Sequence, residues 1–380
     1  MKILFVDLLN TTYNGYVRDG VFKHSYDEAM GLHIAGHEVT FAYCGIKMDV
    51  PFKTQILSSK GYNDGCTIKR KDIYLTIKGK YDAIFLTTQF MTGLEPFMKA
   101  YINTPKYFIV HDCYKNSLFI NMGAVNKMLK AKQYNSKIIG NSNFTKWLYQ
   151  LDYEEKKQHY HKQNIILEEG EQIIDDCYKQ FTYVARDYEI ETFEQKNYSI
   201  CIGKFTKLRE QNRLTYFHKY QNNHLIHLFG STYSEEEEDY YQKIKAKEQF
   251  GTYKTHKSKS SNEIFEISKY AQNNIISWPR EGFGYTALET GLYGVPSIIV
   301  KRYEKHATED YLKEANAYYE TVYFKDKEKL YELIKNYKLD KNQRLLNAHN
   351  LKNHFTIEKF IKDRERLLND FTIKKHNTLL

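Results

Sequence analysis

The feature that most constrains this chain is an alternation, met twice, of short β-branched or aromatic runs with helical stretches. In the first half the strand candidates are Lys2 to Asp7, Val39 to Tyr43, Ala83 to Thr87, Tyr107 to His111 and Lys137 to Gly140. Helical patterns such as Ser25 to Ala35 and Val125 to Lys132 separate several of them. In the second half Tyr198 to Gly203, Leu225 to Phe229, Ile275 to Ser277, Ser297 to Val300 and Thr321 to Phe324 repeat the arrangement. Such alternation specifies an α/β fold with doubly wound parallel sheets, whose ligands bind beyond the carboxyl ends of the strands. A length of 380 residues suits two such Rossmann-like domains, each with its own core. Between residues 180 and 197 polar and charged residues replace the alternation, so the expected division is 1–185, 186–350 and a helical, lysine-rich segment 351–380.

Composition excludes several classes. No apolar run reaches eighteen residues, and the opening Met-Lys-Ile-Leu-Phe-Val-Asp reads as a buried strand rather than a secretory signal, so a soluble cytoplasmic protein is expected. The five cysteines, Cys44, Cys66, Cys113, Cys177 and Cys201, stand singly, which indicates neither disulfides nor structural zinc. The loop from Leu8 to Phe22 lacks the Gly-x-Gly-x-x-Gly fingerprint of a dinucleotide-dependent dehydrogenase.

Residues 281 to 296, Glu-Gly-Phe-Gly-Tyr-Thr-Ala-Leu-Glu-Thr-Gly-Leu-Tyr-Gly-Val-Pro, carry the most chemistry. Gly282 and Gly284 let the main chain approach a ligand closely, and the helix that follows offers free amides and a positive dipole end to an anion. Glu289, about two helical turns beyond Glu281, can accept hydrogen bonds from two adjacent hydroxyls such as those of a ribose. Tyr285 and Thr286 can add hydroxyl contacts, with Phe283 between the glycines. After the strand Tyr198 to Gly203 comes Lys204-Phe-Thr-Lys207-Leu-Arg209, a cationic cluster able to close on a diphosphate. The acidic run Glu235 to Asp239 reads instead as a helix start capped by Ser234.

These sixteen residues resemble the Glu-x7-Glu signature of retaining glycosyltransferases of the GT-B fold, down to the Gly-x-Pro that opens the next strand. The likeness implies two Rossmann-like domains facing a cleft, with the C-terminal helical segment crossing back to the first. It also implies a nucleotide sugar as co-substrate, UDP-glucose being the expected one, held with Glu281 near the transferred sugar and Glu289 on the ribose. In that family an arginine precedes a lysine by five residues in the phosphate-binding cluster; here Lys204 and Arg209 stand in the reverse order, keeping the charge but moving the bidentate fork. Gly20 occupies the place of a family glycine against the donor. No Asp-x-Asp occurs, so neither a catalytic metal nor any further cofactor is expected.

The acceptor is read from the first half. His111 and Asp112 follow a strand at its carboxyl end, where a carboxylate can orient or deprotonate an acceptor hydroxyl and an imidazole can bond the donor sugar. Together with Gly36-His-Glu-Val-Thr40, a helix from about Ser117 to Lys132, and Lys23, they resemble the DNA α-glucosyltransferases of T-even phages. That likeness implies glucose transfer to hydroxymethylated pyrimidines in duplex DNA, in the host cytoplasm if the gene is a phage's. Charge agrees: residues 1–150 hold 19 Lys and Arg against 11 Asp and Glu, a net +8 of the chain's +9. Lys69, Arg70 and Lys71 form one cluster; Lys115, Lys127, Lys130 and Lys132 lie in a stretch from Cys113 to Leu151 that has no acid. Such a field steers polyanions. It equally suits an anionic membrane surface, and the apolar residues among the lysines of 118–132 leave an envelope lipid or glycan acceptor open.

Overall fold

Buried runs of β-branched and aromatic residues become parallel strands in both halves of the chain. The computed structural model describes every residue except 11, 14–15, 18–19, 46, 59–75, 88–93, 112–131, 163–165, 180–193, 208–210, 212–213, 216–223, 233, 258 and 378–380. Two units result, Met1–Ala185 with Phe355–Leu380 and Arg186–His354.

Unit 1 is built on β1 (Lys2–Asn10), a small antiparallel ladder of β2 (Thr12–Tyr13) and β3 (Tyr16–Val17), and then β4 (Glu38–Cys44), β5 (Lys53–Ser58), β6 (Ala83–Thr87), β7 (Lys106–Val110), β8 (Ser136–Gly140) and β9 (Asp176–Cys177). The main sheet has the order β5-β4-β1-β6-β7-β8-β9 and is parallel throughout. Alternation along β1 divides its core. Ile3 and Phe5 pack with Phe22, Ala29 and Leu32 of α1 (Gly20–Ile34). Leu4 and Val6 pack with Phe97 and Met98 of α2 (Glu95–Ala100) and Tyr149 and Tyr153 of α3 (Asn143–Glu155), which leads into α4 (Lys157–Lys162).

Unit 2 contains β10 (Tyr198–Ile202), β11 (Leu225–Gly230), α5 (Glu235–Lys245), β12 (Tyr253–Lys257), α6 (Ser261–Ser268), β13 (Asn273–Ile276), α7 (Tyr285–Gly291), β14 (Ser297–Lys301), α8 (Ala307–Glu314), β15 (Tyr319–Tyr323), α9 (Lys327–Asn336) and α10 (Lys341–His354). Its parallel sheet runs β12-β11-β10-β13-β14-β15. Strand order therefore reverses between β1 and β6 in unit 1 and between β10 and β13 in unit 2.

The last helix, α11 (Ile357–Asn377), belongs to unit 1. Phe360, Leu367 and Leu368 join the cluster of Ile3 and Phe5. Gly31 makes room for this packing, since a Cβ there would stand 2.5 Å from Phe360. Fully buried Arg364 forks Glu28, donating from Nε to Oε2 at 2.6 Å and from Nη2 to Oε1 at 2.5 Å. Desolvating two charges is costly, and such a pair chiefly fixes which surfaces dock.

The structure amends the sequence reading in places. Strands β5, β9 and β12 were not expected, and β13 ends at Ile276, so residues 277–279 begin a turn rather than extend a strand. Residues 351–354 finish α10 in unit 2, and the return to unit 1 starts at Phe355. The helices expected over 125–132 and 117–132 lie outside the described residues except at Lys132, which opens a single 3-10 turn, Lys132–Tyr134. Among the described residues no helix is long and apolar enough to cross a membrane.

Candidate active site

Open parallel sheets bind ligands beyond the strand ends where strand order reverses. In unit 2 the segments leaving β10 and β13 meet that description: Gly203 to Lys207 and Ser277 to Gly284. The two strands pair through Ser199 with Asn273 and Ile200 with Asn274, and the Cys201 thiol donates to Ser277 Oγ at 3.4 Å. The cationic cluster and the first carboxylate, about seventy residues apart in sequence, thus leave neighbouring strands.

Local sequence explains the turn. Pro279 cannot continue the ladder of β13. Gly284 adopts φ +89° as the N-cap of α7, and a Cβ there would lie 2.2 Å from Thr308 Oγ1, so glycine is required twice over. Glu281 is half-buried and Glu289, on α7, is only 7% exposed. Burial first, then the charges of Glu281 and Glu289, push the Tyr311 phenol well above its usual range. Phe283 is buried against Tyr285 (centroids 4.8 Å apart) and Tyr311 (4.9 Å). Its ring is a core anchor, so a donor contact at Phe283 falls to its backbone. Tyr285 and Thr286 are half-buried, and Gly282 and Gly284 are buried. Asn274, buried in β13, donates from Nδ2 to Thr286 O and Thr290 Oγ1, both at 3.1 Å, fixing α7 to the sheet.

The lysines after β10 have acidic partners. Ser234 accepts from Glu237 N at 3.3 Å, the expected cap of α5, and the same acidic turn reaches the cluster: Lys204 pairs with Glu237 at 2.8 Å and Lys207 with Glu236 at 3.1 Å. Lys207 and Glu236 are exposed, so that pair adds little stability. Arg209 lies outside the described residues.

In unit 1 Gly20 opens α1, and His111 follows β7. The His111 Nε2 is buried and meets no hydrogen-bond partner among the described residues; burial pulls its imidazole down to about 3, so it is neutral at physiological pH. Its ring stands edge-on to His24 at 4.7 Å, His24 stacks on Tyr178 at 5.7 Å, and Arg364 lies 3.5 Å from the Tyr178 ring centroid. Burial, against the pull of Arg364, pushes the Glu28 carboxyl up to about 7. Asp112, Lys69, Arg70, Lys71, Lys115, Lys127 and Lys130 lie outside the described residues. Lys132 corrects the reading of an unopposed basic stretch: Asp175 stands 2.8 Å and Glu171 3.7 Å from its Nζ. The local run has no acid, but the fold supplies two from forty residues on. Among the described residues no group of three or more His, Cys, Asp or Glu side chains is placed to hold a metal.

Three site residues escaped the sequence reading: His306, Thr308 and Tyr311, all fully buried around the Glu281 turn. The one signal available was a strand, Ser297 to Val300, followed by His-Ala-Thr at a helix start.

No protein-family model matches the chain, and no curated protein sequence matches it. Solved structures do. One of HepE from Anabaena, in complex with UDP and glucose, superposes with a TM-score of 0.68 over 97% of this chain and 100% of that one, at 12% identity. Sucrose-phosphate synthase from Thermosynechococcus elongatus gives 0.67 over 98% and 99%, at 11% identity. The lipopolysaccharide outer core galactosyltransferase WaaB gives 0.62 over 99% and 100%, at 14% identity. At such identities the likeness establishes the fold, and that fold is GT-B.

Proposed function

We propose that this chain is a metal-independent, retaining glycosyltransferase that takes a hexose, glucose first among candidates, from a nucleotide sugar such as UDP-glucose. The observation that carries the reading is the meeting, at the strand-order reversal of unit 2, of the Lys204 segment with the turn bearing Glu281, ahead of buried Glu289. HepE, of the same fold, has been solved with UDP-glucose. In the proposed reaction the bond from the anomeric carbon to the diphosphate oxygen breaks while one to the acceptor oxygen forms on the same face. Lys204 and Lys207 exchange the acidic turn of α5 for phosphate and, with Arg209, take up the charge of the leaving diphosphate. Glu289 accepts from the ribose hydroxyls, and Glu281 stands by the transferred sugar. The acceptor proton passes to the leaving diphosphate or to Asp112, with neutral His111 bonding the sugar.

The favoured acceptor is duplex DNA carrying hydroxymethylated pyrimidines, from the +8 carried by residues 1–150. A second reading, an envelope lipid or glycan, is favoured by WaaB and by WaaG, a glycosyltransferase of lipopolysaccharide biosynthesis, among the structures of like fold. One assay separates them: the protein is incubated with a panel of nucleotide sugars and with plain DNA, hydroxymethylated DNA or lipopolysaccharide, and product masses are measured. A hexose gain on hydroxymethylated DNA alone supports the first reading, and a gain on lipopolysaccharide alone replaces it with the second. No gain on any acceptor, with no hydrolysis of any donor, defeats the enzyme reading altogether.

A further inference from the structure

The turn from Trp278 to Gly284 is braced by the start of α8. His306, N-cap of α8, lies with Nε2 3.2 Å from Trp278 O and accepts at Nδ1 from Thr308 N at 3.3 Å. A carbonyl can only accept and an amide can only donate, so these partners require the neutral tautomer with its proton on Nε2. Thr308 donates from Oγ1 to Phe283 O at 3.0 Å, and Tyr311 donates from its hydroxyl to Gly284 O at 2.9 Å. Three carbonyls of one turn are therefore tied to the first turn of one helix. All three donors are fully buried, where an unmade hydrogen bond is expensive.

Direction follows from peptide geometry. In a trans peptide the C=O and the next N–H point opposite ways, and no peptide bond of the described residues is cis. With the carbonyls of Phe283 and Gly284 drawn toward α8, the amides of Gly284 and Tyr285 are turned to the other side. The motif's glycines permit this arrangement; α8 sets it at Phe283 O and, at Gly284 O, adds Tyr311 to the bonds that α7 already makes from Ala287 N (3.0 Å) and Leu288 N (3.5 Å).

We infer that His306, Thr308 and Tyr311 are positioning residues for sugar transfer, fixing the orientation of the Glu281 turn without touching the donor. The inference rests on the glycosyltransferase reading. Ground-state hold on the nucleotide is assigned there to Glu289 and the cationic cluster, so loosening the turn acts on the reacting sugar and lowers kcat more than it raises donor KM.

The test uses the full chain, with donor turnover as readout. Thr308→Val keeps the shape and deletes the hydroxyl; Thr308→Ser keeps the hydroxyl; Tyr311→Phe deletes the bond to Gly284 O. A misplacement of reacting groups on the ångström scale costs on the order of a hundredfold. Accordingly Thr308→Val and Tyr311→Phe are expected to lower kcat by about ten- to a hundredfold, with donor KM changing by less than about threefold. Thr308→Ser is expected to stay within about threefold of wild type in kcat. Circular dichroism melts identify any variant that merely unfolds, and amide exchange is expected to quicken at Gly284 in Thr308→Val and at Tyr285 in Tyr311→Phe, and at neither in Thr308→Ser. If wild type turns over a donor and Thr308→Val equals it, or Thr308→Ser falls as far as Thr308→Val, the positioning role is overturned while the enzyme reading stands. If wild type turns over no donor at all, that reading fails and the positioning role falls with it.

Discussion

The carboxyl ends of the two sheets are supported in contrasting ways. In unit 2 the turn bearing Glu281 is held by neutral hydrogen bonds from His306, Thr308 and Tyr311, all within about thirty residues of it in sequence. In unit 1 the surroundings of His111 are a relay of rings, His24 and Tyr178, ending on an ion pair whose members, Glu28 and Arg364, lie 336 positions apart. Local neutral bonds set a direction at little risk, because each partner costs only its own hydrogen bond when lost. A buried ion pair ties distant segments together, but it leaves a stranded charge when either member goes.

The largest expected effect breaks that pair. Arg364→Ala is expected to cost about 3 to 5 kcal/mol, because fully buried Glu28 then keeps no forked partner. The loss is expected in unit 1 alone, read as an earlier denaturant transition from probes in residues 1–185 while probes in 186–354 hold. Equal movement of both would show that the units do not fold independently. Next comes Gly284→Ala, which forces a side chain to φ +89° and onto Thr308. A loss of roughly 2 kcal/mol is expected from strain of this kind, with the melt of unit 2 lowered and unit 1 unchanged.

Acid separates the units in a third way. Burial pulls His224, His227 and His306 down to about 4, so the unfolded chain takes up their protons first and unit 2 loses stability as pH falls from 6.5 toward 4. Asp310, raised to about 6 by burial, holds its proton better when folded and partly offsets this. A net loss of about 2 to 4 kcal/mol per pH unit is expected. In unit 1 Glu28 gains as pH falls from 7 to 4.5 while His111 loses, so that unit changes less. Melts followed unit by unit at pH 7, 6 and 5 check the difference; a steeper fall in unit 1 would refute it. The smallest effect expected is Ser260→Ala, which opens the reciprocal capping box of α6 with Glu263 and costs about 1 kcal/mol in unit 2.

The same contrast explains what was legible in the sequence. The Glu281 to Pro296 segment is contiguous, so its glycines and second carboxylate announced turn, helix and strand together. The Ser234 cap of α5 was equally local and equally plain. The Glu28 and Arg364 pair was not, since nothing near either residue points to the other. Edge strands β5 and β12 escaped because Lys53–Ser58 and Tyr253–Lys257 are mostly polar, as sheet edges commonly are. Counting charge along the chain also misled at Lys132, whose acids arrive through the fold. The burial of the Phe283 ring was not legible for a related reason: the tyrosine that covers it, Tyr311, lies 28 residues further on.

The passage of α11 into unit 1 also has a consequence for biosynthesis. Phe360, Leu367 and Leu368, which complete the core begun by Ile3 and Phe5, are translated after the whole of unit 2. At roughly 5 to 20 residues per second that is a lag of about ten to thirty seconds. During it the first-made sheet waits with that face covered by α1 but not yet by α11, while the later-made unit has every strand it needs. For this chain the first half to be synthesised is the last to finish folding.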